Sequence, residues 1–423
     1  MLIAPHARGK RLNDAIFGVA AAARTRTSQV GAENVINASI GQLFDEEGTF
    51  WALPTPARIL RTLDDEALCR YAPLSGTPAL VDHVLKRVPV PEGLHSQVIA
   101  TPGGAGALHL ILYNYSNIGD AVLAGLPCWG PYNTIANEIG RRIKTHPFFT
   151  DEGTFHVETF LEGMGELLHS QGRAIGIINS PAQNPSGYSL TDAEWSAVAE
   201  GLKVLGKNGD PIVLLLDTAY LEFAQEPDEA RQFLKHFKDL PQNVLVTVAW
   251  SGSKAYTLYG LRLGAAMAVS RDPALVQEFK DSGTFTARGT WSNSPRAGMS
   301  LLQQIEAHPD LNAALEKERA EMRAILSQRA QLLNDSAQLD RLPFSSGFFT
   351  VLKHPDPVNA AKRLQEENIF VVPMYGGVRI ALVSCGLVVV KSKVPRRNRC
   401  TVILAHKIQT GRNGCSIGYG YNT

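Results

Sequence analysis

Cysteine is scarce, with five in 423 residues: Cys69, Cys128, Cys385, Cys400 and Cys415, none in a CxxC pair. An odd number at wide spacing argues against a disulfide framework or a zinc site and fits free thiols in a reducing compartment. No metal is expected. No run approaches the roughly 20 apolar residues that a membrane-spanning helix needs, so no membrane partner is expected. An excess charge of either sign is also missing: 41 Lys and Arg face 40 Asp and Glu, a net of +1. That balance gives no electrostatic reason to expect nucleic acid or an anionic membrane surface as a partner. The opening stretch, MLIAPHARGKRLNDAIF, is too polar for the apolar segment of a secretory leader. The chain has neither an internal repeat nor a low-complexity linker. An apolar share of 44% allows a large buried core, and at roughly 100–200 residues per domain the length suggests two domains. The expectation is a cytoplasmic protein of enzyme size.

Short apolar runs alternate with helical patterns through the middle of the chain. Strands are expected at Gln97–Thr101, Asp120–Ala124, Ala174–Ser180, Pro211–Asp217, Val244–Trp250 and Leu263–Ser270. Several are apolar almost throughout, as in a parallel sheet covered on both faces. A helix over Thr191–Leu205 is announced by Thr191-Asp192-Ala193-Glu194, a capping box that satisfies otherwise unpaired amides. Strand–helix alternation of this length implies an α/β fold with a mostly parallel sheet. Leu311–Leu333 reads as one long charged helix leading out of that body, followed by strands at Phe348–Lys353 and Val378–Val383 in a smaller unit.

Polar residues gather at the carboxyl ends of these strands, where open α/β sheets bind ligands. Thr101-Pro102-Gly103-Gly104-Ala105-Gly106 follows one strand and opens a helix, so backbone amides could approach a phosphate. Asn184-Pro185-Ser186-Gly187 follows another, and taken alone it is a turn. Asp217 closes the run Ile212-Val213-Leu214-Leu215-Leu216, and a carboxylate there is costly to bury without a cation. Ser251-Gly252-Ser253-Lys254 follows Val244–Trp250, with Arg262 eight residues on. Singly, each has an ordinary reading as turn, cap or surface residue.

In this order and spacing the motifs resemble the fold-type-I, class I/II aminotransferases dependent on pyridoxal 5'-phosphate, above all those acting on aspartate and aromatic amino acids. The resemblance runs from about Asn37 to Val383. It implies a large domain around a mostly parallel seven-stranded sheet and a smaller α/β domain formed by both chain ends. It implies that Lys254 carries the cofactor as a Schiff base and then moves the proton, that Asp217 pairs with the ring nitrogen, and that Asn184 and Tyr220 bond the ring's phenolic oxygen. Ser251, Ser253, Arg262 and the amides of Gly103, Gly104 and Ala105 would hold the phosphate. Ala105 departs from the Thr or Ser frequent in relatives, so one hydroxyl is missing. Trp129, in Pro127-Cys128-Trp129-Gly130, matches the aromatic stacked on the ring. Arg379 and Gly41 match the residues that bind the substrate α-carboxylate. Tyr71 and Arg288 match residues that complete the neighbouring subunit's site, Arg288 by gripping a distal carboxylate.

The expected function is therefore a ping-pong transaminase in a homodimer with shared active sites. It would exchange an amino group between aspartate or an aromatic amino acid and 2-oxoglutarate, its small-molecule partners being amino acids and 2-oxo acids. An alanine- or kynurenine-type transaminase, a C–S β-lyase and a non-catalytic protein on the same fold remain alternatives. The expected divisions are 1–47 (N-terminal arm and part of the small domain), 48–312 (large cofactor-binding domain), 313–385 (small domain) and 386–423. That last stretch has seven Lys or Arg and no acidic residue. It can be read as a solvated basic tail, as a nucleic-acid or membrane patch, or as a replaced C-terminus of the kind a shifted reading frame produces, and the missing amphipathic periodicity favours the third.

Overall fold

A computed structural model describes residues 2–11, 15–45, 48–337 and 340–384. The atypical basic stretch 386–423, and Cys385 before it, lie outside the described residues.

The body is a seven-stranded sheet. Its order runs His95–Pro102, Leu263–Ser270, Val244–Ser251, Ile212–Asp217, Ala174–Asn179, Ala121–Leu126, Arg142–Pro147. The strand pairs are parallel except where Leu263–Ser270 runs antiparallel to both its neighbours. The apolar runs became strands because both faces are covered. Leu214 and Leu216 pack into one core and their neighbours Val213 and Leu215 into a second on the opposite face, following the alternation of a pleated strand. Each such fully buried side chain contributes about 1.5–3 kcal/mol. Arg142–Pro147 was not among the expected strands. It is a charged edge strand, lacking the apolar run that marks an interior one.

The capping box forms as read: Thr191 Oγ1 accepts from Glu194 N, and the Glu194 carboxylate accepts from Thr191 N, opening the helix Asp192–Leu205. The long helix spans Pro309–Ala337, 29 residues and about 43 Å at 1.5 Å per residue. Two of its arginines are buried rather than solvated, and they tie it to both parts of the molecule. Arg319 donates to the Ala255 carbonyl at 2.9 Å, beside Lys254 in the chain. Arg329 donates to the carbonyls of Leu382 and Phe44.

The smaller unit joins both chain ends. Ile36–Asn37 pairs parallel with Ile369–Phe370, and Val372–Met374, Gly377–Ala381 and Phe349–Lys353 form an antiparallel sheet. Where the long helix meets the body, buried Glu222 is surrounded by Arg231, Arg87 and Arg319. Burial alone would raise its pKa, but the guanidiniums of Arg319, Arg87 and Arg231 outweigh that and hold it down to about 2.

Candidate active site

Asp217 and Lys254 stand beyond the carboxyl ends of adjacent parallel strands. Asp217 is paired in register with Ala249, and Lys254 follows five residues later in the short helix Gly252–Ala255. The Lys254 side chain is only partly exposed, and its Nζ donates to the Gly41 carbonyl at 2.8 Å. The nitrogen lies 4.7 Å from the Tyr259 ring centre and 5.9 Å from that of Phe348. Among the described residues no carboxylate forms an ion pair with it. Burial, followed by the nearby charges of Arg379 and Arg262, lowers its pKa from 10.5 to about 7.

Asp217 is 6% exposed, and it too lacks an ion-pair partner among the described residues. Tyr132 Oη donates to its Oδ2 at 2.6 Å and Ala219 N donates to its Oδ1 at 3.1 Å. Burial raises its pKa, and these two donors offset part of the rise. Two neutral donors leave a buried anion without a counter-charge, so the pocket calls for a cationic group from a ligand.

A second cluster favours an anion. Arg262 Nη1 donates to Ser253 Oγ at 3.1 Å and to the Tyr259 carbonyl at 2.8 Å, and no carboxylate pairs with it among the described residues. Arg262 has φ +53°, a left-handed conformation that costs a non-glycine residue of order 1 kcal/mol or more. Gly103, with φ +74°, faces it closely: a Cβ there would collide with the Arg262 guanidinium. Gly104 packs similarly on Ser251, whose side chain a Cβ would reach at 3.2 Å. Gly103, Gly104 and Ala105 begin the helix Gly103–Tyr115, so unpaired amides of its first turn join Ser251, Ser253 and Arg262.

The third cluster links the two parts of the molecule. Arg379, 2% exposed on the strand Gly377–Ala381, donates to Asn184 Oδ1 at 3.2 Å and to the Ser39 carbonyl at 2.7 Å. Its guanidinium carbon lies 4.3 Å from the Phe349 ring centre. Asn184 Nδ2 in turn donates to Tyr220 Oη at 3.4 Å. Gly41 is required to be small, because a Cβ would meet the Phe349 ring at 2.6 Å. Trp129 is partly exposed, edge-on to Tyr132 with ring centres 5.4 Å apart.

The family model for aminotransferase class I and II matches residues 33–386. The chain belongs to that family. Its members are pyridoxal-phosphate-dependent transferases. An aromatic-amino-acid aminotransferase of Paracoccus denitrificans is 30% identical over 334 residues, covering 76% of this chain and 81% of that one. The aspartate aminotransferase of Escherichia coli K12 is 26% identical over 312 residues, 72% and 76% of the two chains. An aminotransferase structure from Anaerococcus prevotii superposes with a TM-score of 0.90 at 33% identity, covering 98% and 100%.

In this aminotransferase, Lys254, Asp217, Asn184, Tyr220, Arg379 and Gly41 converge on one cleft, with the Arg262 cluster reached through Tyr259. Tyr71 and Arg288 stand elsewhere. Tyr71 is 84% exposed, and its segment is tied to that of Arg288 by Asn293, which bonds both polar backbone atoms of Ala72. Arg288 occupies the last turn of the helix Pro273–Thr290. The motifs missed Tyr132, Tyr259, Phe348 and Phe349. Tyr132, three residues after Trp129, had a local cue; the two phenylalanines come from the distant small unit and had none.

Proposed function

We propose that this aminotransferase transfers the amino group of aspartate or an aromatic amino acid to 2-oxoglutarate in two successive half-reactions. The observation that carries the reading is the pairing of a lysine whose ammonium is weakened by burial with a buried carboxylate that lacks a cation among the described residues, on neighbouring strand ends.

The residues fit pyridoxal phosphate by charge. Asp217 would meet the ring nitrogen, supplying the anion that keeps it protonated. Ser251, Ser253, Arg262 and the amides of Gly103, Gly104 and Ala105 would hold the phosphate, with Arg262 as a planar donor fork. Trp129 would cover one ring face, and Asn184 and Tyr220 would bond the ring oxygen. When bound, the cofactor supplies an aldehyde for condensation with amines and a ring that takes up the electron pair left at the substrate's Cα.

The protein does the rest. Arg379, held by Asn184 and Ser39 and backed by Phe349, grips the α-carboxylate, with the Gly41 backbone alongside. Lys254, uncharged in about half of molecules at neutral pH, takes the Cα proton and returns it as a general base then acid.

Arg288 would pair with a distal carboxylate, favouring aspartate, glutamate and their oxo acids. Tyr71 and Arg288 share one outer surface, and the assembly we propose is a homodimer in which each completes the partner's site. Within the chain, 1–47 would serve as the N-terminal arm and part of the small domain, 48–312 as the large cofactor-binding domain and 313–385 as the small domain. We place the protein in the cytoplasm, a reducing setting for its free thiols Cys69 and Cys128.

Single-turnover spectra test this. Cofactor-loaded protein mixed with aspartate, glutamate, tyrosine or phenylalanine should lose its visible absorbance, and 2-oxoglutarate should restore it. Loaded protein whose spectrum none of the four changes would end the assignment.

A further inference from the structure

A buried phenol must bond its hydroxyl, and that of Tyr132 has gone to a charged partner. Tyr132 is 2% exposed in the helix Pro131–Glu138, and its ring belongs to the apolar core that also holds Val122, Ala124 and Leu215. Packing therefore sets where its hydroxyl points: to Asp217 Oδ2, at 2.6 Å. That length falls in the range of bonds from a hydroxyl to an ionised oxygen, the stronger class.

Among the described residues, the other groups facing Asp217 are neutral. The Ala219 amide bonds Oδ1, with the Tyr220 phenol nearby. Burial pushes the carboxylate toward taking up a proton. Opposite a protonated pyridine, a carboxylate in so apolar a place is drawn to the neutral pair, with the proton on Asp217 and none on the ring. A phenol donating to Oδ2 opposes this, since a hydrogen bond to the ionised form stabilises that form.

We propose that Tyr132 is a positioning residue for the cofactor's ring nitrogen: its hydroxyl fixes the Asp217 carboxylate and keeps the shared proton on the ring. The inference rests on the function proposed above, since it takes Asp217 to be the partner of that nitrogen. The tyrosine acts through Asp217 and touches neither substrate nor reacting atoms. Its edge-on contact with Trp129 also ties the indole's position to the same side chain.

Tyr132→Phe removes one hydroxyl and leaves the core packing in place. Protein loaded with pyridoxal phosphate carrying 15N in the ring reports protonation directly through the ring nitrogen's chemical shift. Wild type should read as pyridinium and Tyr132→Phe should move toward the neutral value, with Asp217→Asn marking the neutral limit. Cofactor affinity of the Tyr132→Phe apoprotein should fall roughly ten- to a hundredfold, as for loss of one hydrogen bond to a charged group. In the apoprotein, the 13C-labelled carboxyl of Asp217 should titrate at higher pH in Tyr132→Phe. Should that variant not fold, 3-fluorotyrosine at position 132, nearly isosteric and a stronger donor, should move both readouts the opposite way. An unchanged 15N shift and an unchanged Asp217 titration, with only thermal stability reduced, would overturn the proposal. A wild-type protein that takes up no cofactor would instead refute the function, while the apoprotein titration would still report on the Tyr132–Asp217 bond.

Discussion

Lys254 should titrate near neutrality in the apoprotein. Its pKa of about 7 leaves about half of the molecules with a free amine at pH 7. A lysine at the ordinary 10.5 would present one in roughly 3,000, a difference of about 1,500-fold in available nucleophile. Burial is the main cause and the charge of Arg379 the next, so Arg379→Met should move the midpoint upward without restoring 10.5. Between about pH 7 and 10.5 the unfolded chain holds a proton on this lysine that the folded chain has released. Its contribution therefore makes folding more favourable as pH rises through that window. Competitive labelling with trace acetic anhydride from pH 5 to 11, read peptide by peptide, gives each lysine its own midpoint. A Lys254 midpoint within a unit of 10.5 would refute the claim that this pocket holds an uncharged amine.

Glu222→Gln should cost about 3–5 kcal/mol in denaturant unfolding, because Arg87, Arg231 and Arg319 would lose their shared buried carboxylate. In the wild type that contribution is complete above about pH 4.5 and is lost as pH falls toward 2, so the variant's deficit should shrink over this window. Arg288→Leu should raise KM for aspartate and 2-oxoglutarate by tenfold or more and leave monocarboxylic aromatic substrates nearly unchanged, the pattern of a lost bidentate pair. Equal effects on both classes would remove the distal-carboxylate role. Gly41→Ala should weaken binding of substrate carboxylates, since the added Cβ would meet the Phe349 ring that backs Arg379; unchanged KM values would show that the cleft yields.

Much of the site was readable because its chemistry sits in short motifs at strand ends. Lys254 and Asp217 each follow an apolar run whose burial forces the next polar residue toward the cleft. Asn184 was likewise marked by its turn, and Arg379 by being a charge inside an apolar strand. Contacts between distant segments were not readable. Phe349 backs Arg379 because Phe349–Lys353 and Gly377–Ala381 pair as antiparallel strands, and nothing local to Phe349 announces that pairing. Arg319 and Arg329 lie on the helix read from sequence only as long and charged. They are buried because distant carbonyls receive them. The antiparallel direction of Leu263–Ser270 leaves no trace in a run that is equally apolar either way.

The central claim is that Lys254 is the amine that holds the cofactor opposite Asp217. Borohydride reduction of the loaded protein, followed by peptide mapping, tests it in one step. One pyridoxyl mark on the peptide carrying Lys254, absent from Lys254→Ala, is the predicted result; a mark on another lysine, or none on a protein that keeps its visible absorbance, would contradict it.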